Sequence, residues 1–138
     1  LNMEDQIIYK TGINEYYLSE MKKNNVRLMY MPIVNTPEEV EKAESYGLNI
    51  VALEVIYPTV DNPMVSDENI KKWKDKGYLL WTNSINVWDD FVISGGHDDM
   101  HAIKEGTKAW DFCINKGFDI IQTDWPAVLK NYLEEKVR

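Results

Sequence analysis

Three glycines set the rhythm of this chain. Gly47, Gly77 and Gly117 each follow a segment of helical spacing and stand just before a short apolar run. That is where a helix ends on a left-handed residue and a strand begins. The apolar runs cover residues 7–9, 26–34, 49–57, 78–84 and 118–121. They are near-continuous rather than alternating, as in parallel strands covered on both sides.

After each run the period changes. Tyr17, Leu18 and Met21 share a helical face, as do Ile70 with Trp73, and Val128, Leu129, Tyr132 and Leu133. Thr36-Pro37-Glu38-Glu39 predicts a helix start, with an N-cap, a proline in the first turn and a glutamate three residues past the cap. Ser66 is the corresponding cap of the next helix. Strand then helix, five times at about 25–30 residues per unit, predicts an α/β domain with parallel strands. No linker or low-complexity segment divides residues 1–138, so the reading is of one domain.

Two architectures take five such units. One is the last five units of a (β/α)₈ barrel, whose full form needs about 250 residues and whose five-eighths is about 155. The other is a five-stranded doubly wound open sheet. Periodicity does not separate them, but both put ligand chemistry at the carboxyl ends of the strands.

Charge narrows the partners. A net charge of −8, with the lysines scattered, argues against a nucleic-acid or anionic membrane surface. No apolar run approaches the ~20 residues of a membrane-spanning helix. The lone cysteine, Cys113, shares a helical face with Trp110 and Ile114 and reads as a core thiol.

The strand ends hold the candidate site. Lys10 shares a strand face with Ile8, and there it either reaches water or meets an anion in a cleft. Glu54 lies inside Val51-Ala52-Leu53-Glu54-Val55-Ile56, where a carboxylate needs a cation, a metal or hydrogen-bond donors. A structural Glu–Lys pair and a ligand contact are both open for it. Trp81 and Asn83 share a face of the fourth strand, an aromatic body beside an amide that suits a polyol, although Trp81 also reads as core filler. His97 and His101, spaced His-x₃-His after Gly95-Gly96 and beside Asp98 and Asp99, could suggest a metal. Their loop context favours turn and N-cap roles for the aspartates instead, so no metal site is expected there.

Two motifs carry a family resemblance. Gly117-Phe118-Asp119-Ile120-Ile121-Gln122-Thr123-Asp124-Trp125-Pro126, followed by an amphipathic helix, resembles the closing strand of glycerophosphodiester phosphodiesterases. Leu80-Trp81-Thr82-Asn83-Ser84-Ile85-Asn86 is similar to that family's preceding strand, with a departure: Asn83 stands where a hydrophobe is usual and Ser84 where the asparagine is. The resemblance therefore leaves the functional amide unassigned. It implies a barrel of which this chain supplies the fourth to eighth units. It also implies metal-assisted acid–base hydrolysis of glycerophosphodiesters, a step in glycerophospholipid breakdown, with Ca²⁺ or Mg²⁺ in the complete enzyme. The family's His-Arg-Gly motif, Glu-x-Asp ligands and second histidine belong to its first units, and neither motif occurs in this sequence.

The chain thus reads as the substrate side of a hydrolase, with no catalytic residue of its own and no metal expected on this segment. Lys10, Glu54, Trp81 and Asn83 would meet a small phosphodiester. A non-enzymatic α/β domain binding a ligand or a partner is the alternative. A flavodoxin-like regulator fits less well, since Lys10-Thr11-Gly12 stands where its acidic cluster belongs. Asp124 is expected to cap the last helix, with Pro126 in its first turn. Open sheet edges predict self-association, or pairing with a missing N-terminal half.

Overall fold

The computed structural model describes residues 4–24, 27–85, 91–106 and 109–137. Val26, which opens the second run, and Asn86, which closes the fourth-strand motif, lie outside the described residues. In chain order the elements are β1 (Ile8–Gly12), α1 (Glu15–Lys23), β2 (Met29–Val34), α2 (Pro37–Ser45), β3 (Ala52–Val55) and α3 (Asp67–Asp75). They continue with β4 (Leu79–Asn83), α4 (Asp99–Lys104), α5 (Ala109–Lys116), β5 (Ile120–Gln122) and α6 (Pro126–Val137). The strands form one five-stranded sheet, all parallel, in the order β1-β2-β3-β4-β5. This is the parallel α/β sheet the repeat predicts. No described helix is long and apolar enough to cross a membrane.

The helix starts follow their chemistry. Asn14, Thr36 and Ser66 are in extended backbone and accept from the first-turn amides with their side chains. At α2 the reciprocal half of the cap is displaced by one residue. Glu39 Oε2 takes the backbone N–H of Asn35, at 2.6 Å, rather than that of Thr36. Gly47, Gly77 and Gly117 have φ of 67°, 84° and 84°, the left-handed stop that a Cβ would strain.

The six described α-helices pack against one sheet face. Val34, Leu53, Val55 and Leu80 meet Val40 of α2, Ile70 and Trp73 of α3, and Cys113 of α5. Tyr30 meets Leu18 and Met21 of α1. Ile121 packs with Ala102 of α4, Trp110 of α5 and Leu129 of α6. Beneath the sheet the Tyr57 hydroxyl lies 3.0 Å from Thr82 Oγ1 and 3.6 Å from Cys113 Sγ. Burial pushes the Cys113 thiol up, so it stays a neutral core group.

By the register, the other face carries Ile8, Lys10, Met31, Ile33, Ala52, Glu54, Leu79, Trp81, Asn83, Ile120 and Gln122. None of the helix side chains in the core clusters packs on it; its rim is open, with Ile8 and Leu79 each 48% exposed, while Met31, Ala52 and Glu54 at its centre are buried.

Several expectations shift. β1 is Ile8–Gly12, so Ile7, which opens the first apolar run, precedes the strand and Lys10 sits at its centre. β3 is only Ala52–Val55, because Ile50 makes a single bridge to Tyr30 before the ladder begins. β5 starts at Ile120, and Phe118 is the buried lead-in. Tyr17, Val128 and Leu133 are exposed, since α1 and α6 each turn a narrower stripe to the sheet than their apolar spacing suggests. Asp124 does not cap α6. Trp125 intervenes before Pro126, and Thr123 Oγ1 accepts from the Trp125 N–H at 2.9 Å.

Candidate functional site

Alternation within strands and register between them bring the predicted residues together. Glu54 stands opposite Ile33 on β2 and Trp81 on β4, and Asn83 lies two residues further along β4. Lys10, opposite Met31, reaches across β2 to bring Nζ within 2.6 Å of Glu54 Oε2. The same ammonium lies 5.2 Å from the centroid of the Trp81 ring. Asn83 Nδ2 donates to Glu54 Oε1 at 3.3 Å, and Asn83 Oδ1 accepts from the Ile85 N–H at 3.0 Å. Lys10, Glu54, Trp81 and Asn83 are therefore one constellation on the uncovered face, toward the carboxyl ends of the strands.

Glu54 is 3% exposed while the Lys10 side chain keeps 32%. Among the described residues Oε2 makes no aligned hydrogen bond, so the 2.6 Å approach of Lys10 is an ionic contact off the hydrogen-bonding direction. That geometry leaves both partners able to turn toward a third group.

Gln122 is a member that the sequence analysis names only within the fifth-strand motif. Its Oε1 accepts from Trp81 Nε1 at 3.2 Å and fixes the indole plane. The signal was present, since Gln122 alternates with Ile120 on the same face of β5.

Asp98 takes the N-cap role expected of the aspartates, but Asp99 does something else. It is 2% exposed, and its carboxylate accepts from Ser84 Oγ at 2.7 Å, Thr123 Oγ1 at 2.9 Å and the Asp124 N–H at 2.7 Å. It clips the ends of β4 and β5 to the start of α4. The Thr123-Asp124 pair that ends the fifth strand is thus explained: its hydroxyl and its amide are donors to a buried carboxylate.

The histidines face elsewhere. His97 Nδ1 is 3.1 Å from the Ala109 carbonyl, and its ring stacks on Phe112 at 4.3 Å between centroids. Burial lowers its pKa, partly offset by the Ala109 bond. His101 Nδ1 is 2.9 Å from Asp98 Oδ1, and Asp98 is the N-cap of α4. No group of three or more His, Cys, Asp or Glu side chains arranged to hold a metal is found among the described residues.

The constellation itself does not suit Ca²⁺ or Mg²⁺. Its one carboxylate already faces an ammonium, and the Gln122 amide oxygen is taken by the indole N–H. Hard cations need several free oxygens. What the arrangement offers is a partly exposed cation, an indole face and amides at one mouth.

A family model described as a domain of unknown function, DUF4996, matches residues 30–133. The chain belongs to that family. The DUF4996 match begins within β2, so Glu54, Trp81, Asn83, Asp99 and Gln122 lie inside it and Lys10 lies outside. No curated protein matches the chain.

Proposed function

We propose that this chain is the substrate-side portion of a metal-dependent phosphodiester hydrolase acting on glycerophosphodiesters. The carrying observation is the convergence of the Lys10 ammonium, the Trp81 indole and the Asn83 amide on the open sheet face, with Lys10 Nζ 5.2 Å from the indole centroid. Lys10 neutralises a phosphate oxygen, Trp81 packs on the glycerol moiety, and Glu54 holds Lys10 or accepts from a substrate hydroxyl. Strand order adds support. It never reverses, whereas a doubly wound sheet has a reversal at its switch point, and winding in sequence with the helices on one face is how a (β/α)₈ barrel is built. The acid–base groups and the Ca²⁺ or Mg²⁺ ligands then belong to units outside this segment. The open face and the edges of β1 and β5 are the surfaces through which such units, or a second copy of the chain, complete the sheet.

A non-enzymatic ligand-binding domain is the second reading. The constellation serves it as well, since a partly exposed cation, an indole face and amides bind a ligand without an acid–base group.

Calorimetric titration of the 138-residue chain with glycerophosphocholine, then with added Ca²⁺ or Mg²⁺, tests both readings. Binding without turnover, lost in Lys10→Ala and Trp81→Ala, is the expected result. Failure of the wild-type chain to bind at millimolar ligand overturns the substrate-side reading. Turnover by the chain alone overturns the division of labour. Light scattering on the same sample is expected to report association.

A further inference from the structure

At the opposite end of the sheet lies a groove of about 810 Å³. It is walled by the last turns of α1 and α2 and by the segments leading into β2 and β3, with Lys22, Arg27, Glu44, Tyr46, Leu48 and Asn49 among its lining. Its volume falls within the several-hundred-Å³ range of small-molecule sites.

Its charge sets it apart. The described lysines outside it are nearly all ion-paired, Lys104 excepted, as befits a chain of net charge −8. Lys22 and Arg27 have no carboxylate in ion-pair range among the described residues. The one acidic side chain in the lining, Glu44, is already neutralised, with Lys76 Nζ at 2.6 and 2.7 Å and the Tyr78 hydroxyl at 3.2 Å. Two positive charges in the groove therefore have no ion-pair partner among the described residues. Lys22 in the last turn of α1 also complements the helix dipole, but Arg27 lies outside any helix and that explanation does not reach it. Beside them is an apolar wall, with Lys22 Nζ 5.9 Å from the Tyr46 ring centroid and Leu48 next to it.

We propose that this groove binds a small organic anion, a phosphate ester of an aromatic or heterocyclic group, with the phosphate on Lys22 and Arg27 and the ring against Tyr46 and Leu48. Arg27 gives the planar donor fork that suits phosphate oxygens. The site is separate from the one at the carboxyl strand ends and does not depend on the function proposed for it.

Amide-resolved NMR titration with phenyl phosphate, inorganic phosphate and phenol tests the assignment. Phenyl phosphate is expected to shift Tyr46, Leu48 and Asn49, and to bind roughly tenfold tighter than either component alone. Arg27→Gln and Lys22→Gln, both surface changes, are each expected to weaken it roughly tenfold with the spectrum otherwise native. Trp81→Ala should leave it unaltered. Shifts that miss these residues, affinity unchanged in Arg27→Gln, or phenyl phosphate no tighter than inorganic phosphate would each overturn the proposal.

Discussion

Glu54 and Asp99 are both buried carboxylates near the carboxyl ends of the strands, 3% and 2% exposed, yet they are held in opposite ways. Asp99 receives donors from three residues on two chain segments, Ser84, Thr123 and Asp124. Glu54 has one aligned amide donor, from Asn83, and an ammonium on a stem that still reaches water. Asp99 lies in a closed polar clip, whereas Glu54 lies on the sheet face without helices. A carboxylate held on both oxygens by donors fixed in the fold holds backbone in place; one with a single aligned donor is where a ligand can enter.

The sharpest test of this contrast is Asp99→Ala. It leaves the Thr123 hydroxyl and the Asp124 N–H without their buried acceptor, while Ser84 Oγ keeps the Gln122 carbonyl at 2.8 Å, and the expected loss is about 3 kcal/mol, read from the urea midpoint. A loss below about 1 kcal/mol would mean that water reaches the clip and the contrast fails. Lys10→Met comes next. Glu54 keeps only Asn83, and about 2 kcal/mol should be lost, less than for a fully enclosed pair because water can approach from the open face. Glu54→Gln should cost about 1 kcal/mol, since Lys10 is then free to turn to solvent. The double variant Lys10→Met with Glu54→Gln should be more stable than Lys10→Met alone, and a double-mutant cycle reads that coupling. Additive losses would show that the pair is not a unit.

The smallest effect concerns pH. The folded pKa of His97 is lowered by burial, so between its ordinary value near 6.5 and that lower value the unfolded chain binds the extra proton. The stability from a neutral His97 is complete above that ordinary value and is lost as pH falls through it toward the folded one. His97→Phe, which keeps the stack on Phe112, should narrow the difference in urea midpoint between neutral and mildly acidic buffer. An unchanged difference would assign that acid sensitivity to other groups.

Much of the site was legible because strands make burial periodic. Glu54 declared itself as a charge within an apolar run, and alternation put Lys10 with Ile8 and Trp81 with Asn83. Gln122 followed the same rule. Asp99 could not be found that way. It enters from a glycine-rich loop, where no repeat tells inward from outward, and its partners come from β4's end and from beyond β5. Asp124 misled because its residue type suits a cap, while Trp125 stands between it and the first helical residue, Pro126. Val128 and Leu133 misled because apolar spacing marks which side of a helix can be buried, not how much of it meets a neighbour.

The unreversed strand order has a kinetic meaning. Every ladder in the sheet joins strands adjacent in sequence, so its stabilising terms run from neighbour to neighbour, as in a stack of repeats. Each pairing closes a single helical crossover between strands that follow one another in the chain, and assembly can spread outward from any formed unit. The ends of such a stack open first. Amide hydrogen exchange should therefore be graded along the sheet, slowest at Leu53 and Val55 in central β3, which are 0% exposed, and fastest in β1 and β5, each with one partner strand.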